Sequence, residues 1–389
     1  MPSPAGDREV LDVLVVGAGQ AGLAPGRHLT GRGVNFLLLD AGPQIGHAWR
    51  CRWDSLRLFS PAQYDALSGL PFPAPADTHP SKDDVADYLA GYAAHFALPV
   101  RLNCPVLRLH RDADGTFAAT TPASTLSAKQ VVVATGALHS PHVPAIAARL
   151  DPGVPQLHSA EYRNPAQLPG AGRVLVVGAA NSGLQIAAEL GAVQPVSVAV
   201  GSRPTELPQR IAGRDVFFWL TGSGFFTVPA HTRIARRLRE RGDLVIGTRS
   251  RRLRRRGVDF RPRLTGLTGR TATFADGSTL AVDAVVWATG YRPDHSWLHV
   301  PGVIDGAGTV RHEAGVTGVP GLYFLGLPWQ SCRGSALLGF VGADAATLSA
   351  RMAADAHRPW QRHAPRHEPI PHEPAPHAPA SAVVNGRSR

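Results

Sequence analysis

Two stretches of this chain, far apart in sequence, repeat one another. Residues 10–29 read VLDVLVVGAGQAGLAPGRHL and residues 173–190 read RVLVVGAANSGLQIAAEL. Each is an apolar, β-branched run, then a Gly/Ala-rich turn, then a helix-like stretch. An unbroken apolar run bounded by glycine reads as a strand buried on both faces of a parallel sheet. A second apolar run follows each helix, VNFLLLD at 34–40 and VSVAV at 196–200. Two βαβ units are therefore expected, and with them an α/β fold of two Rossmann-like dinucleotide-binding domains.

The first turn carries Gly17, Gly19 and Gly22, the G-x-G-x-x-G spacing. The first glycine permits the tight turn, the second lets a pyrophosphate approach the backbone, and the third lets helix and strand pack closely. The pyrophosphate then rests on the helix N-terminus, opened by Gln20 and Ala21, where free N–H groups and the helix dipole favour an anion. Asp40 ends the next strand, about 20 residues on, where a carboxylate accepts hydrogen bonds from a ribose diol. A free 2′-hydroxyl suits FAD.

The second turn, GAANSG, keeps Gly178 and Gly183 but has Ala180 in the middle, with Asn181 and Ser182 opening the helix. After its second strand comes GSRPTELPQR, with Arg203 and Arg210 where an acid would otherwise stand. A guanidinium pairs with a 2′-phosphate and a carboxylate repels it, so this site is expected to take NADPH. The chain then reads as passing electrons from a nicotinamide to a flavin.

Composition narrows the alternatives. Cys51, Cys104 and Cys332 are widely spaced and form no CxxC pair, so neither a dithiol redox centre nor a disulfide framework is expected. No His/Cys/Asp/Glu spacing reads as a metal site. No long apolar run reads as a membrane span, and MPSPAGDREV does not read as a secretory signal, which fits a cytoplasmic location. The net charge of +11 is nearly all arginine and reads first as a compositional bias. Eleven arginines fall within 233–256, but without interleaved aromatics, so a solvated face rather than a nucleic-acid site is expected. SKDDVADYLAGYAAHF at 81–96 reads as a helix capped by Ser81 with Asp84 three residues on. Pro25, inside the first helix, costs roughly 3 kcal/mol unless the helix kinks. After residue 357 proline and histidine dominate and a disordered tail is expected, with metal binding by His367, His372 and His377 the less favoured reading.

Further motifs follow in order: IGHAWR with Trp49; VVVATGALHSPHVP at 131–144 with Ala134, Thr135 and Gly136; QLHSAEYRNP at 156–165 with His158 and Tyr162; VVWATGYRP at 285–293 with Thr289 and Gly290; and GLYFLGLPWQSCRGSALLGFVGADAA with Gly326. In this order they resemble the class B flavin-containing monooxygenases, from about residue 10 to 350. Departures from the family fingerprint F-x-G-x-x-x-H-x-x-x-Y stand out: Val154 takes the place of its glycine, and Tyr162, where tryptophan would mark the Baeyer–Villiger subclass, argues against that subclass. The resemblance implies an FAD-binding domain at 1–166 plus 290–356 and an inserted NADPH-binding domain at 167–289. It also implies that NADPH reduces FAD and that a C4a-hydroperoxyflavin, formed with O2, oxygenates a small organic substrate. No catalytic side chain is assigned. Ser60 or Gln63 is the nearest match to the family's active-site asparagine, His158 and Tyr162 read as linker-positioning residues, and Cys332 reads as a small buried residue beside the flavin segment. Residues 50–75 and 213–230 are expected to line the substrate. A reductase without oxygen insertion, or a non-catalytic accessory flavoprotein, stays open at this point, and so do the substrate and the oligomeric state.

Overall fold

The computed structural model describes residues 10–357 except 139, 171 and 243. The Pro/His-rich tail, with His367, His372 and His377, lies outside the described residues. The first repeat folds as β1 (Val10–Val16), α1 (Gln20–Leu29) and β2 (Phe36–Leu39). Then come α2 (Lys82–His95), β3 (Val100–Arg101) and the long β4 (Thr125–Val133). The second repeat folds as β5 (Gln156–His158), β6 (Val174–Val177), α3 (Asn181–Leu190), β7 (Val196–Ala199), β8 (Asp259–Arg261) and β9 (Ala284–Trp287). The chain then returns to the first sheet as β10 (Leu322–Phe324) and ends in α4 (Val341–Ala356).

The two repeats build parallel sheets with one strand order. In the first, β3-β2-β1-β4-β10 run parallel, with β1 registered by Val13 opposite Phe36 and Gln130. In the second, β8-β7-β6-β9-β5 do the same. Each also has an antiparallel meander: Arg108–Arg111 and Phe117–Thr120 extend β4, and Leu264–Thr268, Thr271–Phe274 and Thr279–Ala281 form a separate ribbon. Central strands covered on both faces demand apolar residues throughout, and all four residues of β6 and of β9 are buried. The fifth strand differs: β10 follows the rest of its sheet in sequence, whereas β5 precedes its own. The second sheet therefore takes in residues 156–158, ahead of residue 167.

Helix α1 runs unbroken through the buried Pro25. The proline removes one helical hydrogen bond, but Leu23, Ala24 and Leu29 pack with Leu348 and Met352 of α4 in one apolar cluster, which holds the segment helical. Helix α2 begins as the sequence suggests: the Asp84 N–H donates to Ser81 Oγ and the Ser81 N–H to Asp84 Oδ2, which holds the Asp84 carboxyl below its usual range. Its Tyr88 hydroxyl accepts from Leu67 N and donates to Leu70 O, pinning the loop that reaches toward the second sheet. The chain crosses between sheets twice, and the crossings pair: Ser140–Pro141 is antiparallel to Tyr291–Arg292. Among the described residues no helix is long and apolar enough to cross a membrane.

Candidate functional site

The three glycines of the first turn are needed for three separate reasons. Gly17 has φ +104°, and a Cβ there would lie 2.6 Å from the Ala134 carbonyl oxygen. A Cβ on Gly22 would lie 1.8 Å from the Gly17 carbonyl oxygen, so α1 could not sit against its own turn. At Gly19 a Cβ would meet nothing within 4 Å. No protein atom demands glycine there, and the open space in front of the α1 N-terminus is the shape a pyrophosphate needs. The second turn repeats the first two constraints: a Cβ on Gly178 would lie 2.3 Å from the Ala288 oxygen, and one on Gly183 would lie 2.1 Å from the Gly178 oxygen. Its middle residue, Ala180, has φ −82° against −79° at Gly19, so the backbone is the same and only a methyl group is added.

Both turns open into one cavity of about 1490 Å³. That exceeds the ~300–1,000 Å³ of a single small-molecule site. Gly17, Gly19, Gln20, Ala21, Asp40, Trp49, Ala134, Thr135, Gly136 and Gly326 line it from the first sheet's side. Gly178, Asn181, Ser182, Arg203, Thr289 and Gly290 line it from the second. Gly22 and Gly183 stand behind the wall, as packing glycines should. Arg210 does not line the cavity; its guanidinium donates to the Gly213 carbonyl of the same exposed hairpin. Asn181 lines the cavity, but its side chain is occupied elsewhere: Nδ2 donates to Leu244 O and Oδ1 accepts from Ile246 N.

Each Asp40 oxygen accepts one backbone bond, from Ala18 N at 2.7 Å and from Gly42 N at 2.8 Å. A carboxylate oxygen has a second lone pair, so both can still take a ribose hydroxyl. The Trp49 indole donates to Gln20 Oε1, and Gln20 Nε2 donates to Ala336 O, tying the α1 start to the segment before α4. On the other side Arg263 lines the wall with Arg203, its Nη2 held on Gly201 O. Arg263 lies beyond β8 and had no sequence motif to reveal it.

One end of the cavity is aromatic. Phe59, Tyr64, Phe217 and Phe340 line it, with Phe217 5.0 Å from Phe226 and Phe226 4.7 Å from Phe340. Most of these rings come from the stretches expected to line a substrate. Beneath them Ser60 donates to Asp65 Oδ1 at 2.5 Å, while Asp65 Oδ2 has no partner. Asp65 is 2% exposed, and burial pushes its carboxyl up to about 7 despite the Ser60 hydroxyl, which pulls the other way. An aspartate in a polar loop gives no sign of this in sequence. Gln63, by contrast, turns outward to Asp77.

Residues 14–215 match the pyridine nucleotide-disulphide oxidoreductase family, just over half of the chain. The chain belongs to that family. It is 42% identical over 342 residues to a protein of Geobacillus kaustophilus named an uncharacterized CzcO-like oxidoreductase, covering 88% of this chain and 98% of the relative. It is 30% identical over 396 residues to the indole-3-pyruvate monooxygenase YUCCA8 of Oryza sativa, covering 90% and 91%. Among solved structures, a flavin-containing monooxygenase from Stenotrophomonas maltophilia aligns with a TM-score of 0.73 at 30% identity, over 89% of this chain and 99% of that one. The resemblance and the α/β fold read from the sequence both hold.

In this oxidoreductase the crossings are held largely by groups from the sequence motifs. His158 Nε2 donates to Gly290 O, since its Nδ1 accepts from Ala160 N, and burial lowers its pKa. The Thr289 hydroxyl donates to His142 O. Tyr162, fully buried, donates to Glu189 of α3, and burial raises its phenol. Arg52 donates to the Tyr291 hydroxyl at 2.6 Å from the cavity wall, a link the sequence did not suggest. The three cysteines are free, and none lines the cavity; the Cys332 N–H donates to Ser335 Oγ.

Proposed function

We propose that this oxidoreductase is an FAD- and NADPH-dependent monooxygenase acting on a small organic substrate. The observation that carries the reading is the single cavity reaching both glycine turns and ending among aromatic rings. On this reading residues 1–166 plus 290–356 form the FAD domain, less the β5 strand lent to the second sheet, and 167–289 the NADPH domain. The open space at Gly19 and the free lone pairs of Asp40 fit the pyrophosphate and ribose of FAD. Arg203 and Arg263 fit a 2′-phosphate.

Bound FAD supplies hydride acceptance and oxygen activation: NADPH gives two electrons, one atom of O2 enters the product, and the other leaves as water. The chain's own residues do the rest. His158 and Thr289 fix the crossings, so the two halves of the cavity keep their relation. Phe59, Tyr64, Phe217 and Phe340 exclude water from the far end. Asp65, with its Ser60 hydrogen bond, holds a proton near neutral pH under that wall.

Supplying NADPH and ¹⁸O₂ to the purified protein with a panel of small aromatic and sulfur- or nitrogen-containing compounds tests this. One ¹⁸O atom is expected in a product. NADPH oxidation that yields only hydrogen peroxide, or a reduced acceptor without label, replaces the monooxygenase with the reductase reading.

A further inference from the structure

The chain's positive charge is not spread over its surface. Residues 233–256 hold eleven arginines against Glu240 and Asp243, a net +9 of the chain's +11, which leaves only +2 for all the rest. A general arginine bias does not produce that distribution. All eleven arginines are exposed, and no described carboxylate forms an ion pair with any of them.

The fold carries this charge to the cavity mouth. The two basic helices, Arg233–Glu240 and Ser250–Arg255, flank the strand Leu244–Ile246. That strand pairs with Thr205–Leu207, directly after Arg203, and the Asn181 amide ties it to the second glycine turn. Ser250 N donates to Glu206 Oε2, anchoring the second basic helix to the same ribbon. At the end of the first basic helix Arg241 lines the cavity with Arg203 and Arg263.

We propose that these arginines form an electrostatic collar that captures phosphorylated dinucleotide from solution, all of them but the wall residue Arg241 acting on its rate of arrival rather than by contact in the bound state. The proposal rests on the NADPH reading above. NADPH carries a 2′-phosphate that NADH lacks, so the collar favours NADPH kinetically, in addition to any contact with Arg203. Fields of this kind raise association rates by about 10–10³ and fade as the Debye length shrinks from ~30 Å at ~0.01 M salt to ~3 Å at ~1 M.

Stopped-flow mixing of the holoprotein with NADP⁺ or NAD⁺, followed by tryptophan fluorescence, tests it. The native protein is expected to lose roughly tenfold or more in NADP⁺ association rate between those salt limits, with NAD⁺ losing less. Replacing Arg236, Arg237, Arg251 and Arg252 together by Gln, none of which lines the cavity, is expected to lower the low-salt rate similarly, flatten the salt dependence and leave dissociation unchanged. Tight NADP⁺ binding with a salt-independent association rate in the native protein overturns the collar alone. So does an unchanged rate in the variant, including the case where only binding to phosphatidylserine vesicles is lost and the patch is a membrane contact. No NADP⁺ binding to the native protein overturns the collar together with the NADPH reading beneath it.

Discussion

Compare the turn after β1 with the turn after β6. Gly17 answers Gly178, Gly22 answers Gly183, and the carbonyls of Ala134 and Ala288 press on them alike, at 2.6 and 2.3 Å from a would-be Cβ. What differs is small: an open glycine against an alanine methyl at the middle position, and Asp40 against Arg203 after the second strand. The shared glycines belong to the protein's own packing, since backbone oxygens forbid anything larger. The divergent positions face the cavity, where the ligand and not the fold sets the requirement. In a duplicated unit, then, packing explains what both copies keep, and bound chemistry explains what they change.

The sharpest break of this comparison is Gly22→Ala set against Gly183→Ala. Both drive a methyl into a backbone oxygen, at 1.8 and 2.1 Å. Gly22→Ala is expected to abolish flavin retention, and Gly183→Ala to abolish NADP⁺ binding while the protein stays yellow; the ratio of flavin to protein absorbance and an NADP⁺ titration read the two. Identical loss of both ligands in both variants would mean that the halves do not act as separate cradles.

Next in size is a difference in buried charge. Among the described residues, Asp65 in the first half is the carboxyl pushed up, to about 7 from an ordinary 3.8. Between those values the folded state keeps the proton and the unfolded chain has lost it. The stability this group contributes is therefore present below about pH 4 and lost as pH rises through 7, on the order of 4 kcal/mol in all. Urea unfolding of the native protein and Asp65→Asn across that window is expected to show the native protein losing stability relative to the variant as pH rises. Parallel profiles would remove the raised acid.

Smaller effects separate the halves further. Asn181→Ala frees the Leu244–Ile246 strand and is expected to weaken NADP⁺ binding about tenfold, or ~1.4 kcal/mol, with flavin content unchanged; calorimetric titration reads it. Ser81→Ala removes the cap of α2 and is expected to cost about 1 kcal/mol of stability, measured by denaturant midpoint, without altering NADP⁺ affinity.

What could be read from sequence was local. Both apolar strands, both glycine turns and the Ser81–Asp84 cap announce themselves within a few residues of chain, because one turn or one helix end satisfies its own hydrogen bonds. The membership of β5 in the second sheet could not be read: three residues pair with Val285–Trp287, far along the chain, and carry no periodicity of their own. Asn181 read as a ligand contact because its neighbours do face the cavity, but its side chain found two backbone partners on a distant strand. Asp65, Arg52 and Arg263 gain their meaning only from what packs beside them. Pro25 illustrates the opposite error, since a local penalty was outweighed by the burial of the helix around it.

The paired crossings, Ser140–Pro141 against Tyr291–Arg292, have a mechanical consequence. A lone strand between two bodies lets one spin freely against the other. Here two strands are laced together by their own ladder, by His142 N donating to Gly290 O and by Arg292 on His142 Nε2, so twisting shears those bonds while bending spares them. The joint therefore resists twist through two laced strands, and a protease that nicks either strand by itself leaves the other still joining the two sheets.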